Sequence, residues 1–271
     1  MRISRRRLLR RSAGSLLAAG LWPGVLGAAD TVAADPFHFV VLNDLHYQDE
    51  RCFTWHEGIV KQIKAHKEKI DFCLLVGDLM QDGTAVQLEP VRALYRKLDM
   101  PLHVVIGNHD WQSEKDRKPY DTIFAGATNY SFEHRTWQFV GLDSTDGPSG
   151  KASVPPATLK WLDAAVPKLD RKKPLAVFTH FPLGPWIPRR SKNADELLER
   201  FKDYNLQSVF NGHFHASTER RLGNVMLTTN RCCSFCRANH DGSREKGYFL
   251  CQAKDGKITR AFVERNDEPR P

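Results

Sequence analysis

The sequence predicts an α/β fold in which a parallel core is joined by a second sheet. Two observations carry the core: short apolar runs that each stop at Asp, Asn, His or Gly, and amphipathic helical stretches lying between them. A third predicts the second sheet, because the last third of the chain changes to hairpin-like runs.

The first run is "FHFVVLND" (37–44), followed by "DFCLLVGD" (71–78), "LHVVIGNHD" (102–110), "WQFVGLDS" (137–144), "PLAVFTH" (174–180) and "QSVFNGH" (207–213). Apolar stretches of this length without alternation fit strands buried on both faces. Between the first two, residues 55–70 place Ile59, Val60, Ile63 and Ile70 on one side and Lys61, Lys64, Lys67 and Lys69 elsewhere, which predicts a helix. Residues 85–98, 156–166 (after Pro155) and 194–204 repeat that pattern. Strand alternating with helix implies right-handed crossovers and parallel pairing. "NVMLTTN" and "GYFLCQAKDGKITRAFVER" then read as antiparallel strands, with Asp255-Gly256 as a turn.

The 271 residues carry a net charge of +8, but the excess is local. Residues 1–34 hold six arginines, no lysine and one acid. The remaining chain therefore has 34 basic and 31 acidic side chains, a net of +3. A body so nearly balanced argues against a stable nucleic-acid complex. The leader itself has a charged region, "SRRRLLRR", then an apolar small-residue stretch, "SAGSLLAAGLWPGVLGAAD". That is the layout of an export signal, and Ser4-Arg5-Arg6-Arg7-Leu8-Leu9-Arg10 resembles the bacterial twin-arginine type. The expected organisation is a cleaved signal over residues 1–34 and one domain over 36–271, without a transmembrane segment in the mature chain. The twin-arginine machinery would be its export partner and the periplasm its location. Of the six cysteines, Cys233 and Cys236 form a lone CxxC with no second pair, which fits a disulfide or buried thiols better than a zinc ribbon.

The polar ends of the strands fall in a definite order: Asp44-x-His46, Gly77-Asp78, Gly107-Asn108-His109-Asp110, His180, and Gly212-His213-x-His215. Open α/β sheets build their sites beyond the carboxyl ends of strands, so groups far apart in sequence converge there. Glycine before a ligand permits a tight turn and close approach. One-residue gaps point both members of a pair the same way if the backbone stays extended. Any one piece alone is more often a turn or a core histidine; the ordered set points to a metal centre.

This ordered set, D-x-H, G-D, G-N-H-[DE], H and G-H-x-H, resembles that of the calcineurin-like metallophosphoesterase superfamily, and every element is present. The resemblance implies a four-layer αββα sandwich of two facing mixed sheets flanked by helices. It implies that Asp44, His46 and His215 hold one ion, that Asn108, His180 and His213 hold the other, and that Asp78 bridges them. Mixed imidazole and oxygen donors suit two divalent or trivalent transition metal ions: Mn, Fe, Zn, Co or Ni. The implied reaction is hydrolysis of a small-molecule phosphate ester, a diester first, by a metal-bridging hydroxide. His109 would be the general acid, with Asp110 either hydrogen-bonded to it or simply capping the turn. A phosphomonoesterase on the same centre, or a non-catalytic metal-binding scaffold, are the alternatives. Purple acid phosphatases place a tyrosine ligand where this chain has Gln81; with "LDS" at 142–144, the chain looks more like the cyclic-nucleotide-phosphodiesterase branch. Trp111, Trp186, Arg189, Arg190 and Arg231 lie in loops that would surround the metals, although such residues more often pack on their own domain or stay solvated.

Overall fold

The computed structural model describes residues 36–265. The expected export signal over residues 1–34 lies outside the described residues. In chain order the elements are β1 (Phe37–Leu42), α1 (Glu50–Lys64), β2 (Ile70–Val76), α2 (Ala85–Arg96), β3 (Leu102–Val105), α3 (Lys118–Ile123), β4 (Tyr130–His134), β5 (Trp137–Leu142), α4 (Pro156–Ala165) and β6 (Leu175–Thr179). Then follow α5 (Ala194–Glu199), β7 (Leu206–Asn211), β8 (Thr218–Leu222), β9 (Val225–Thr229), β10 (Gly247–Lys254) and β11 (Lys257–Glu264).

Two mixed sheets result. One has the order β11-β10-β1-β2-β3 and the other β4-β5-β6-β7-β9-β8. The sandwich expected from the resemblance is present, but the local reading of which strands share a sheet needs correction. The C-terminal hairpin β10–β11 does not found a second sheet. It adds to the first, with β10 antiparallel to β1 from Phe37↔Ala253 to Val41↔Phe249. The second sheet instead begins in mid-chain, where β5, β6 and β7 pair in parallel. Local sequence encodes a strand's burial but not its neighbour, and the central strands of both sheets are buried on both faces.

That double burial shows in the side chains. On β1, Phe37, Phe39 and Val41 face the other sheet, where they meet Phe139, Phe178 and Phe210 in a largely aromatic layer. Val40 and Leu42 point the opposite way, onto Ile59 and Ile63 of α1 and Leu88 and Val91 of α2. Beyond the second sheet, Val140, Val177 and Val209 pack on Leu162 of α4 and Leu197 of α5. The layers are therefore helix, sheet, sheet, helix. Phe39 and Phe72 stack at 4.9 Å between centroids, and Phe72 meets Phe139 edge-on at 5.2 Å, arrangements that aromatic quadrupoles favour.

Helix α1 starts and ends earlier than its apolar spacing predicts. Asp49 caps it, its carboxylate accepting the N–H of Arg51, and Ile70, expected on the helix face, is the first residue of β2. The short helix α3 carries too few apolar positions to betray itself in sequence. No helix among the described residues is long and apolar enough to cross a membrane.

Candidate metal centre

The parallel strands β1, β2 and β3 of the first sheet and β6 and β7 of the second all end on one edge of the sandwich. Asp44 and His46 follow β1, Asp78 follows β2, and Asn108 to Asp110 form a 3-10 turn after β3. His180 follows β6, and His213 and His215 follow β7. All seven expected ligands are buried there. Their donor atoms form two groups that share one residue: Asp44, His46, Asp78 and His215, and Asp78, His180 and His213. Asp78 Oδ2 lies 3.5 Å from His46 Nε2 and 3.3 Å from His180 Nε2, so one carboxylate oxygen faces both halves. Asp44 Oδ1 is 3.1 Å from His215 Nε2, and Asn108 Oδ1 is 3.2 Å from His180 Nε2.

The backbone that delivers these groups is not extended, contrary to the expectation from the one-residue gaps. Asp44, His46, Asp78, His213 and His215 all have left-handed φ values between 45° and 64°. For non-glycine residues each such conformation costs about 1–2 kcal/mol. Bonds between the strand-end loops hold it: Asp44 N–H donates to Gly77 O at 3.1 Å, His46 N–H to Asp78 O at 2.9 Å, and His213 N–H to both oxygens of Asp44. Glycine is required at two neighbours. A Cβ on Gly107 would stand 2.2 Å from the Asp78 carboxylate, and one on Gly77, itself at φ 76°, would stand 2.5 Å from the His180 ring.

The donor set fits a cation pair. Each of the four imidazoles spends one ring nitrogen on an oxygen acceptor: His46 Nδ1 on Gln81 Oε1 (3.1 Å), His180 Nδ1 on Val76 O (3.0 Å), His215 Nδ1 on Ala238 O (3.2 Å) and His213 Nε2 on Gly150 O (3.1 Å). A nitrogen facing an oxygen acceptor must carry the proton, so in the neutral ring the other nitrogen keeps its lone pair for the pocket. Asn108 is oriented in the same way. Its amide nitrogen donates to Pro148 O at 3.3 Å and its oxygen turns inward. Lone pairs converging from every side, with Asp44 and Asp78 among them, are what a bound cation satisfies.

Without cations, charge is shared among the ligands themselves. Burial drives the pKa values of His46 and His213 down to about 3. Burial works against the charged rings of His180 and His215 as well, but the carboxylates of Asp78 and Asp44 outweigh it and raise them to about 9 and about 11. Asp44 and Asp78 are held below the usual carboxylate range, because those imidazolium charges outweigh the cost of burial.

His109 is half-buried beside this cluster, its ring 4.7 Å from that of His46. Of the two roles open to Asp110, the structure shows the cap of the turn and not the brace of His109. The Asp110 carboxylate is fully buried and accepts three backbone N–H groups: Leu79 (2.8 Å), Met80 (3.1 Å) and Gly107 (2.8 Å). Burial and the Asp78 charge push its pKa up to about 7 against those donors. The His109 ring instead donates from Nδ1 to Gln81 O at 2.9 Å, leaving Nε2 free. Asp110 thus stitches the Gly107 turn to the loop after β2. Asp110→Asn turns an acceptor into a donor that faces N–H groups, and is expected to cost about 1–3 kcal/mol of stability, read as a lowered denaturant midpoint. An unchanged midpoint would remove this role.

The sequence profile of calcineurin-like phosphoesterases matches residues 37–217, which hold every one of these groups. The chain belongs to the calcineurin-like phosphoesterase family. It is 29% identical over 175 residues to a 3',5'-cyclic-nucleotide phosphodiesterase of Nostoc sp., covering 62% of this chain and 64% of that relative. It is 24% identical over 224 residues to the 3',5'-cyclic adenosine monophosphate phosphodiesterase CpdA of Pseudomonas aeruginosa, covering 78% and 80% of the two chains. Its fold matches a purple acid phosphatase from yellow lupin with a TM-score of 0.63 and 14% identity, over 88% of this chain and 53% of that one.

Several residues beside the centre carry little signal in the sequence. Gln81, which stands where purple acid phosphatases have a tyrosine, orients His46 with its side-chain oxygen and His109 with its backbone oxygen. Arg237 donates from Nε to the same Gln81 Oε1 at 3.0 Å. His240 stacks on His215, 4.8 Å away and 4° from parallel, and donates from Nδ1 to Phe214 O. In "LDS", Ser144 Oγ accepts the N–H of Phe181 at 2.9 Å and so fixes the residue after His180. Gln81 and Ser144 mark themselves only as a departure from one branch and as part of a short motif, and Arg237 and His240 carry no spacing signal at all. Of the loop residues singled out, Trp111 bonds Thr145, Arg190 pairs with Asp195, and Arg231 bonds Ser243. Trp186, 91% exposed, and Arg189 remain open to solvent.

Proposed function

We propose that this chain is a dinuclear-metal-dependent phosphoric ester hydrolase that acts on phosphodiesters, with residues 36–271 as its one metallophosphoesterase domain. The observation that carries the reading is the inward convergence of six donors around a shared Asp78. Asp44, His46 and His215 would hold one ion and Asn108, His180 and His213 the other, with Asp78 common to both. A pair of Mn, Fe, Zn, Co or Ni ions bound there supplies Lewis-acid activation of water and neutralises the charge of a phosphoryl group. The preference for diesters rests on relatives named as cyclic-nucleotide phosphodiesterases.

His109 acts on the leaving oxygen. Its Nδ1–H is committed to Gln81 O and its N–H to Asp78 Oδ1 at 2.8 Å, so the ring is held with Nε2 directed away from its anchor. A proton on Nε2 can then pass to the departing alkoxide. The Arg189 guanidinium lies near Gly150, whose carbonyl accepts from His213 Nε2, and from there it would bind a remaining phosphate oxygen of the substrate.

A panel of chromogenic monoesters and diesters, assayed with each added metal, tests the reading; hydrolysis of none of them would end it, and a monoester preference would favour the phosphatase alternative. Within the panel, His109→Gln is expected to retain metal and to lose about 10²–10⁴-fold in rate on esters with poor leaving groups, with little loss on good ones. An equal loss on both would reject the acid role.

We propose further that residues 1–34 direct export of the folded protein through the twin-arginine machinery to the periplasm. The support is the leader's arginine cluster and apolar stretch. Fusing residues 1–34 to a fluorescent protein tests this. Cytoplasmic fluorescence that is unaltered by Arg5→Lys/Arg6→Lys/Arg7→Lys would sink it.

A further inference from the structure

We propose that Cys52 and Cys236 form a reversible disulfide that clamps the segment over residues 231–247 onto α1. Their sulfurs lie 3.5 Å apart, in contact but unbonded. Cys52 is buried in the first turn of α1, whereas Cys236 is exposed and lines an open surface cleft with Phe235 and Arg237. Cys236 is therefore the thiol an oxidant reaches, and Cys52 the one that resolves the bond.

The surroundings hold the pair in register. One turn along α1, Trp55 Nε1 donates to Cys233 O at 2.9 Å. The N–H groups of Cys236 and Arg237 both donate to Ser234 Oγ, at 3.1 and 3.0 Å, which fixes the turn that presents Cys236 to the helix. Closing the bond thus orders little that is not already ordered. The CxxC spacing does not choose the partner. Cys233 is buried in the core between the first sheet and its helices, together with Cys73. Cys251 is buried between the sheets, and Cys232 faces Lys246, its sulfur accepting from Nζ at 2.8 Å.

The chemistry is thiol–disulfide exchange with a small-molecule disulfide as oxidant. The Cys236 thiolate attacks one sulfur of the oxidant and expels a thiol. Cys52 then attacks the Cys236 sulfur of the mixed disulfide and expels the second thiol. Two electrons and two protons leave the cysteines, and one disulfide becomes two thiols. The bond joins positions 184 apart in sequence, so it restricts the unfolded chain strongly. It also ties down the neighbour of Arg237, whose guanidinium holds the Gln81 side chain that orients His46.

The test equilibrates the full chain with oxidised glutathione and, in parallel, with dithiothreitol. Peptide mapping without reduction should then find Cys52 joined to Cys236 in the first sample only. The oxidised protein should melt about 4–16 °C higher than the reduced one, from the usual range for a native cross-link in a domain of this size. Cys236→Ser, an exposed change, should abolish both link and shift, and Cys52→Ala should do so independently. Full alkylation of both thiols after oxidation, a stable mixed disulfide at Cys236, a Cys233–Cys236 link, or a shift that survives in Cys236→Ser would each overturn the proposal.

Discussion

Asp78→Ala is expected to lower kcat/KM on any hydrolysed ester by more than about 100-fold, beyond the range typical of residues that merely support metal ligands. The reason is geometric. Among the described residues, its Oδ2 lies 3.3–3.5 Å from imidazoles of both halves of the centre. Its loss should also leave fewer than two ions per chain by elemental analysis. Asp78 accepts the His109 N–H as well, so a second variant, Asp78→Asn, keeps the shape of the side chain while removing its charge. Should both variants keep full activity and two ions, the shared-carboxylate assignment is wrong.

The second expected result concerns protons. In the cation-free centre, His180 and His215 carry raised pKa values of about 9 and about 11, while His46 and His213 are neutral. At pH 7 two imidazolium rings therefore face two carboxylates. A cation needs the lone pair that each proton occupies, so loading should expel about two protons per centre. The sign follows directly. Groups with raised pKa values are protonated below those values, so apparent affinity weakens as pH falls. Below pH about 9 it should change by up to about 100-fold per pH unit for the two ions together, tenfold for each proton displaced. Titration of metal into weakly buffered protein measures the release. Binding that is independent of pH between about 6 and 8 would contradict it.

What could be read before folding was the chemistry at the strand ends. Asp44, His46, Asp78, Asn108, His180, His213 and His215 stood out because residue type, a preceding glycine or an apolar run marked each, and the structure gathers all seven. The route by which they meet was not legible. Extended spacing predicted the pairs Asp44/His46 and His213/His215, yet left-handed turns deliver them, imposed by bonds between loops that are distant in sequence. For Asp110 the sequence left two roles open, partner of His109 or cap of the turn. Its carboxylate was claimed by Leu79, Met80 and Gly107, a competition visible only in three dimensions. The division of strands between sheets failed for the same reason: β10 lies beside β1 although more than two hundred residues separate them.

That last pairing has a consequence for synthesis. Asp44, His46, Asp78 and Asn108 emerge first, on strands that still lack β10 as a flank and the second sheet as a lid. The imidazoles of His180, His213 and His215 follow only after the parallel strands of the first sheet, and β10 closes that sheet later still. An unfinished chain therefore offers scattered, solvated donors and no cage. Assembly of the donor cluster therefore waits for β7 and the loop that follows it.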